Sequence, residues 1–248
     1  MSGWLAIAGL GPGHGALVTP EVSKALAEAT DVAGYIPYVR RVPEREGLRR
    51  HETDNREELD RARHALEMAG EGRRVVVVSS GDPGVFAMAS AVFEALEAGP
   101  EAWRALDIRV LPGITAMLAA AARAGAPLGH DFCAVNLSDN LKPWEVIERR
   151  LRLAVEADFA IALYNPRSKA RPEGMGRALD LLRSLCEPER VLIFARAVST
   201  PDEELRVVPL AEATAEMADM RTVVLIGSSA TRPVPGTPYV YTPRTVPA

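Results

Sequence analysis

Two cysteines, Cys133 and Cys186, are all that the 248 residues contain, and they stand in no metal-ligand or redox spacing. That excludes a disulfide scaffold or a cysteine-based metal site and predicts reduced, buried thiols in a cytoplasmic protein. No apolar run approaches the ~20 residues needed to cross a bilayer, so no membrane span is expected. No basic stretch precedes the first apolar segment, which predicts no signal peptide. A basic excess is missing too: the formal net charge is −4, which gives no reason to expect nucleic acid as a partner. Lysine is nearly absent, with Lys24, Lys142 and Lys169 the only ones among 29 basic residues. Arginine fills most places where any cation would do, so each remaining lysine merits inspection.

What is present is the composition of a soluble globular protein, 48% hydrophobic and 25% charged, at a length expected of one large or two small domains. Its clearest stretch is Val75 to Phe86, VVVVSSGDPGVF. Four consecutive valines read as a strand buried on both faces, as in the middle of a parallel sheet. The run breaks at Ser79-Ser80-Gly81-Asp82-Pro83-Gly84, where glycine tolerates positive φ and Pro83 pins one dihedral. Helical spacing then runs from Val85 to Leu96. A buried strand ending in a tight loop with a helix behind it is where open α/β sheets bind ligands.

The alternation continues along the chain. Trp4 to Leu10 is a strand leading into Gly9-Leu10-Gly11-Pro12-Gly13, and Thr19 caps a helix that starts on Pro20. A dinucleotide fingerprint would require glycine where His14 stands, and Pro12 lies inside the loop, so a nicotinamide or flavin site is not expected. Asp31 to Tyr38 reads as a strand. Asn55 to Ala69 reads as a charged helix, with Asn55 and Glu58 in capping-box spacing. Ile108 to Leu111 is a strand ending in Pro112-Gly113-Ile114-Thr115, followed by the alanine-rich helix Ala116 to Ala124. The second half predicts strands at Phe132 to Leu137, Phe159 to Tyr164, Val191 to Ala195, Leu205 to Val208 and Thr222 to Gly227. Helices are predicted over Trp144 to Glu156, Glu173 to Leu185 and Leu210 to Met217, and a loosely structured tail from Thr231. Two α/β domains, 1–113 and 114–248, are the most economical division.

Taken in order, Gly9-Leu10-Gly11-Pro12-Gly13 with Thr19, Gly81-Asp82-Pro83, Pro112-Gly113-Ile114-Thr115 and the strand from Thr222 to Gly227 resemble the tetrapyrrole methylase family. The second half adds Gly129-His130-Asp131-Phe132, Leu137-Ser138-Asp139, the run from Pro143 to Leu151, and Tyr164-Asn165-Pro166 with Ser168-Lys169. These resemble one branch, the C17-methyltransferases of cobalamin synthesis that act on precorrin-3B or cobalt-factor III and contract the macrocycle. The Tyr35-Ile36-Pro37-Tyr38 run lacks the acidic residue found there in the sirohaem branch.

The resemblance implies two α/β domains with S-adenosylmethionine folded into the cleft between them, leaving as S-adenosylhomocysteine, and a homodimer. It implies cofactor contacts from Pro12, Gly81, Asp82, Val85, Phe86, Thr115, Ala116, Asn165, Ala197 and Thr222. Asp82 has the alternative role of capping its own turn. A substrate rich in carboxylates requires local cations in a chain of net charge −4. Arg40, Arg41, Lys142, Arg167, Lys169 and Arg171 fall in or beside strand-end loops, with Arg40, Ser138, Arg167 and Lys169 the substrate-binding set. Each is equally an ordinary solvated side chain. Ring contraction needs proton transfer, for which Asp139, Lys142 and His130 are the candidates, although Asp139 also suits a helix cap. Two other readings stay open: methylation of a different position or molecule, and a tetrapyrrole binder without activity. No metal site is expected.

Overall fold

The computed structural model describes residues 3–54 and 57–245, and the chain divides into two compact units, Met1–Thr115 and Ala116–Ala248. In the first, the elements are β1 (Trp4–Gly9), α1 (Pro20–Glu28), β2 (Asp31–Tyr35), the short α2 (Ile36–Val39), β3 (Arg49–Thr53), α3 (Glu58–Gly70), β4 (Arg74–Ser79), α4 (Met88–Ala98) and β5 (Asp107–Leu111). The five strands form one wholly parallel sheet in the order β3-β2-β4-β1-β5.

The valine run occupies the centre of that sheet because it is apolar on both faces. Val75 and Val77 pack with Leu5 and Ile7 against α3 and α4, while Val76 and Val78 pack with Ala6 and Ala8 against the α1 side. All four valines are fully buried, and each such side chain stabilises the fold by about 1.5–3 kcal/mol relative to exposure. β3, Arg-Arg-His-Glu-Thr, carries no apolar alternation and was not expected from the sequence. Its backbone completes the sheet at an edge, where charged side chains remain solvated and discourage further pairing.

Three expectations for this unit are corrected. The β2 strand stops at Tyr35 rather than Tyr38, because Pro37 sits in the first turn of α2, a position where its missing N–H costs nothing. The helix after the Gly81 loop starts at Met88 rather than Val85, because Phe86 takes a left-handed φ of 52° and Ala87 is extended. α3 starts at Glu58, and the proposed Asn55 cap lies outside the described residues. Thr19 does cap α1, accepting from the Val22 N–H at 3.3 Å.

The second unit contains α5 (Ala116–Ala124), β6 (Gly125–Ala126), β7 (Phe132–Asn136), α6 (Trp144–Glu156), β8 (Ala160–Tyr164), α7 (Gly174–Leu185), β9 (Val191–Arg196), β10 (Glu204–Pro209), β11 (Thr222–Ile226), β12 (Arg232–Pro233) and β13 (Val240–Tyr241). Its main sheet runs β10-β9-β11-β8-β7, with β7 parallel to β8 and every other pair antiparallel. Ile161, Leu163, Phe194 and Val224 face α6 and α7; Ala162, Ile193, Ala195 and Val223 face the alanines of α5.

Here too the structure amends the sequence reading. Leu210 to Met217 is not a helix but two single 3-10 turns, separated by extended residues, with Leu210 and Ala213 buried. The tail is not loose. β13 pairs with β12 and β6, Val240 is buried, and the Thr242 hydroxyl donates to the Pro127 carbonyl at 2.6 Å. Threonine makes such a tail orderable by satisfying its own polar groups. Both cysteines are free but only half-buried, at the margin of the core under α6 and α7.

Candidate functional site

In the first unit the C-terminal ends of β1, β4 and β5 meet backbone against backbone. Gly11 N–H donates to the Gly81 carbonyl at 3.1 Å, and Gly81 N–H returns a bond to the Gly11 carbonyl at 2.9 Å. A Cβ on Gly113 would lie 2.2 Å from the Gly81 carbonyl oxygen, and one on Gly9 would lie 2.5 Å from the same atom. Only hydrogen fits between these loops. Gly11 and Gly81 also hold φ of 65° and 63°, a conformation that disfavours side chains.

Asp82 joins the second loop to the third. Its Oδ1 accepts from Gly84 N–H at 2.8 Å and its Oδ2 from Gly113 N–H at 3.0 Å. The turn-capping alternative is therefore a real role, and it is combined with a bond to the neighbouring loop. Around this core Gly81 and Thr115 are buried, Pro12 and Val85 are partly open, and Phe86 is 47% exposed.

Arg41, expected among the substrate cations, has a different task. Its guanidinium donates to the carbonyls of Leu10 at 2.5 Å, Gly11 at 3.2 Å and Gly13 at 3.2 Å, so it braces the first loop from behind. Burial holds its pKa below the ordinary value, against the opposing effect of Tyr38. Arg40 points elsewhere, with a 70% exposed side chain 3.8 Å from Glu52.

In the second unit the strand directions bring together residues far apart in sequence. Because β8 and β9 both run antiparallel to β11, the C-terminal ends of β7, β8 and β9 and the N-terminal end of β11 share one end of the sheet. Asn165, Ala197, Thr222 and Ser138 all lie there. Ala116 joins them, because the Met117 N–H donates to the Tyr164 hydroxyl at 3.0 Å and fixes the first turn of α5 beside β8. Asn165 and Ala197 have φ of 52° and 49° without being glycine. Such strained non-glycine positions cluster at functional sites. Thr222 is held by Asp219, which also binds Arg196 at 2.8 Å. Burial opposes ionisation of Asp219, yet the bonds from Arg196 and Thr222 outweigh it and leave the carboxyl below its ordinary range.

Asn136 organises this end and escaped the sequence reading, since a lone polar residue at a strand end has no motif. Its Oδ1 accepts from the Ser138 N–H at 2.8 Å and from the Asn165 amide at 3.1 Å. The following loop exposes Asp139 and leads to Lys142, whose Nζ donates to the Ser138 carbonyl at 3.1 Å. Burial pushes the Lys142 pKa down, repulsion from Arg150 and Arg171 adds to that, and Asp139 opposes it. Arg171 reaches the Asn165 carbonyl at 3.4 Å; Arg167 lies 3.9 Å from Glu216, and Lys169 is exposed.

His130 does not belong to this group. It precedes β7, whereas Ser138 and Asp139 follow it, and the five residues of β7 span about 16 Å. Its Nδ1 accepts from the Asp131 N–H at 2.8 Å at the opposite end of the sheet.

A family model described as Tetrapyrrole (Corrin/Porphyrin) Methylases matches residues 5–214, from β1 through the first of the two 3-10 turns before β11. The chain belongs to the tetrapyrrole methylase family. It is similar to a precorrin-3B C(17)-methyltransferase from a Sinorhizobium species, at 57% identity over 98% of this chain and 97% of the relative. Among solved structures it is similar to the methyltransferase CobJ, at 70% identity and a TM-score of 0.95, covering 98% of this chain and 100% of that one. A uroporphyrin-III C-methyl transferase from Thermus thermophilus, complexed with S-adenyl homocysteine, shares the methylase fold at 23% identity and a TM-score of 0.66, over 91% and 97% of the two chains. Among the described residues no helix is long and apolar enough to cross a membrane, and no group of three or more His, Cys, Asp or Glu side chains is arranged to hold a metal.

Proposed function

We propose that this chain transfers a methyl group from S-adenosylmethionine to C17 of precorrin-3B or cobalt-factor III and contracts the macrocycle, in cobalamin biosynthesis. The 57% identity to a relative of that name over nearly the full length of both chains carries the reading. The loop chemistry supports it. In 9–13, 81–86 and 112–115 the only ionisable side chain is Asp82, so these loops offer backbone groups and one negative charge. That suits a cofactor carrying a sulfonium and an ammonium group. The loops of the second unit offer Lys142, Arg167, Lys169 and Arg171, which suit peripheral carboxylates.

Bound S-adenosylmethionine supplies an electrophilic methyl group for in-line displacement. The task of the protein is then alignment, which lowers the barrier without a dedicated acid or base. Pro12, Gly81, Asp82, Val85, Phe86 and Thr115 are the proposed cofactor contacts in the first unit, and Ala116, Asn165, Ala197 and Thr222 those in the second. Ser138, Arg167 and Lys169 are proposed to hold the substrate. For contraction, Asp139 and Lys142 stand on one loop as a carboxylate and an ammonium of lowered pKa, a combination able to move a proton. His130 is left out because it stands at the opposite end of β7. A cytoplasmic homodimer is the proposed working form, which light scattering of the purified chain tests.

Incubation with methyl-labelled S-adenosylmethionine and either precorrin-3B or cobalt-factor III tests the function. Label should enter the ring with a mass gain of one methyl, and the absorption spectrum should report contraction. Binding of the tetrapyrrole without label transfer would sink the enzymatic reading. Transfer to a different carbon would move the chain to another specificity within the family.

A further inference from the structure

A histidine pair in the first unit stands outside the loops discussed so far. The chain has four histidines, and two of them, His51 on the edge strand β3 and His64 on α3, face each other. His51 Nδ1 and His64 Nε2 are 3.3 Å apart, with ring centroids 5.1 Å apart and planes inclined by 64°. Behind them His51 Nε2 lies 2.9 Å from Oδ1 of Asp31, a carboxylate only 1% exposed. Thr30 donates to Oδ2 of Asp31 at 2.8 Å, and Arg73 approaches Oδ1 at 3.5 Å.

This order of groups has a chemical consequence. Oδ1 of the buried Asp31, 2.9 Å from Nε2, accepts the Nε2–H of His51 and thereby leaves the Nδ1 lone pair of His51 pointing at His64. A carboxylate behind a ligating imidazole is the usual arrangement that fixes tautomer and ring orientation at metal centres. Two imidazole nitrogens bound at 2.0–2.1 Å in a tetrahedral site are themselves about 3.3 Å apart. The observed spacing equals that edge. His64 is half exposed and its other nitrogen, Nδ1, lies 4.0 Å from Glu67, so its proton can move to Nδ1 and free Nε2. A pocket of about 210 Å³ opens beside the pair, also lined by Glu57 and Asp60, and leaves room for water ligands. Arg61 lines it too, but its guanidinium is engaged by Thr53 Oγ1 and the Asp54 carbonyl, each at 2.6 Å.

We propose that His51 and His64, oriented by Asp31, form a binding site for one borderline divalent cation such as Zn²⁺ or Co²⁺, with water completing its coordination. The site lies on the edge strand, about 14 Å from β1 across three strand spacings, and it is independent of the proposed methyl transfer.

The test is titration of the tag-free full chain with Co²⁺ and, separately, Zn²⁺ by calorimetry, with visible spectroscopy of the Co²⁺ form. One cation per chain is expected, with ligand-field bands and no thiolate-to-metal charge transfer, which separates this site from Cys133 and Cys186. His64→Gln, a partly exposed position, should weaken binding at least tenfold with an unchanged circular dichroism spectrum. Asp31→Asn should weaken it about 10–100-fold, the usual effect of removing a carboxylate partner from a ligating histidine. If Asp31→Asn does not fold, His64→Gln decides alone. Absence of binding in the wild-type chain, or equal binding by His64→Gln, overturns the proposal.

Discussion

Gly113→Ala tests whether backbone contact between strand-end loops is what builds the candidate site. The new methyl would meet the Gly81 carbonyl oxygen at 2.2 Å and the Gly9 carbonyl oxygen at 2.8 Å. Both are main-chain atoms at the ends of central strands, so neither can rotate away as a flexible side chain would. Forcing extra volume into a packed site costs about 1–3 kcal/mol. Displacing Gly81 also threatens the reciprocal Gly11–Gly81 bonds, two hydrogen bonds at about 0.5–1.5 kcal/mol each. The expected loss is about 2–6 kcal/mol, a large part of the ~5–15 kcal/mol that stabilises a typical domain. Urea unfolding followed by circular dichroism measures it, and calorimetric titration with S-adenosylhomocysteine should show weakened binding in whatever fraction remains folded. Gly15→Ala is the control, since a Cβ there would meet nothing within 4 Å, and it should change stability by less than about 0.5 kcal/mol, as surface substitutions do. A Gly113→Ala chain with near-wild-type stability and cofactor affinity would refute the reasoning, because three loops that tolerate a methyl between them are not held by that contact.

Ala116→Phe should abolish cofactor binding while the chain remains folded; normal affinity in calorimetry would place the cofactor away from the start of α5. Lys169→Ala and Arg167→Ala should each weaken tetrapyrrole binding by about 1.5–3 kcal/mol if the charged contact is well desolvated, less if it stays wet, and leave cofactor affinity unchanged. Salt should weaken the same binding, and insensitivity to both would reduce these residues to surface charges. Asp139→Asn should slow contraction by about 10²–10⁴-fold and methyl transfer far less, so that mass spectrometry detects a methylated, uncontracted ring; equal loss of both steps would instead mean a positioning role. Asp31 and Asp219 are held below their ordinary range in the fold, so the unfolded chain binds more protons in acid. Their stabilisation is complete above the unfolded carboxylate value near 3.8 and disappears as pH falls through the lower folded values. Urea midpoints taken below about pH 4 should therefore drop more steeply for the wild type than for Asp31→Asn, and parallel curves would contradict this account.

Local sequence was enough to define the centre of each unit. Val75 to Val78 had no face to offer water, so only an interior strand suited them, and the α6 boundaries, Trp144–Glu156, followed from helical periodicity. The loops announced themselves through glycine and proline, because positive φ and close approach have few side-chain solutions. What local sequence could not reveal depended on partners supplied by distant elements. β3 is polar along its length and becomes a strand only because β2 presents an open edge. Phe86 and Ala197 adopt left-handed backbone that no residue preference signals, since the surrounding packing imposes it, whereas Asn165 is of a type that tolerates it. Strand direction alone separated His130 from Asp139, nine positions apart in sequence but at opposite ends of β7. It also gathered Ser138, Asn165, Ala197 and Thr222 at one end of a sheet. Arg41 shows the same limit for charge: its sequence neighbours mark it as a cation near a loop, but only the carbonyls of Leu10, Gly11 and Gly13, brought to it by the fold, decide that it braces that loop.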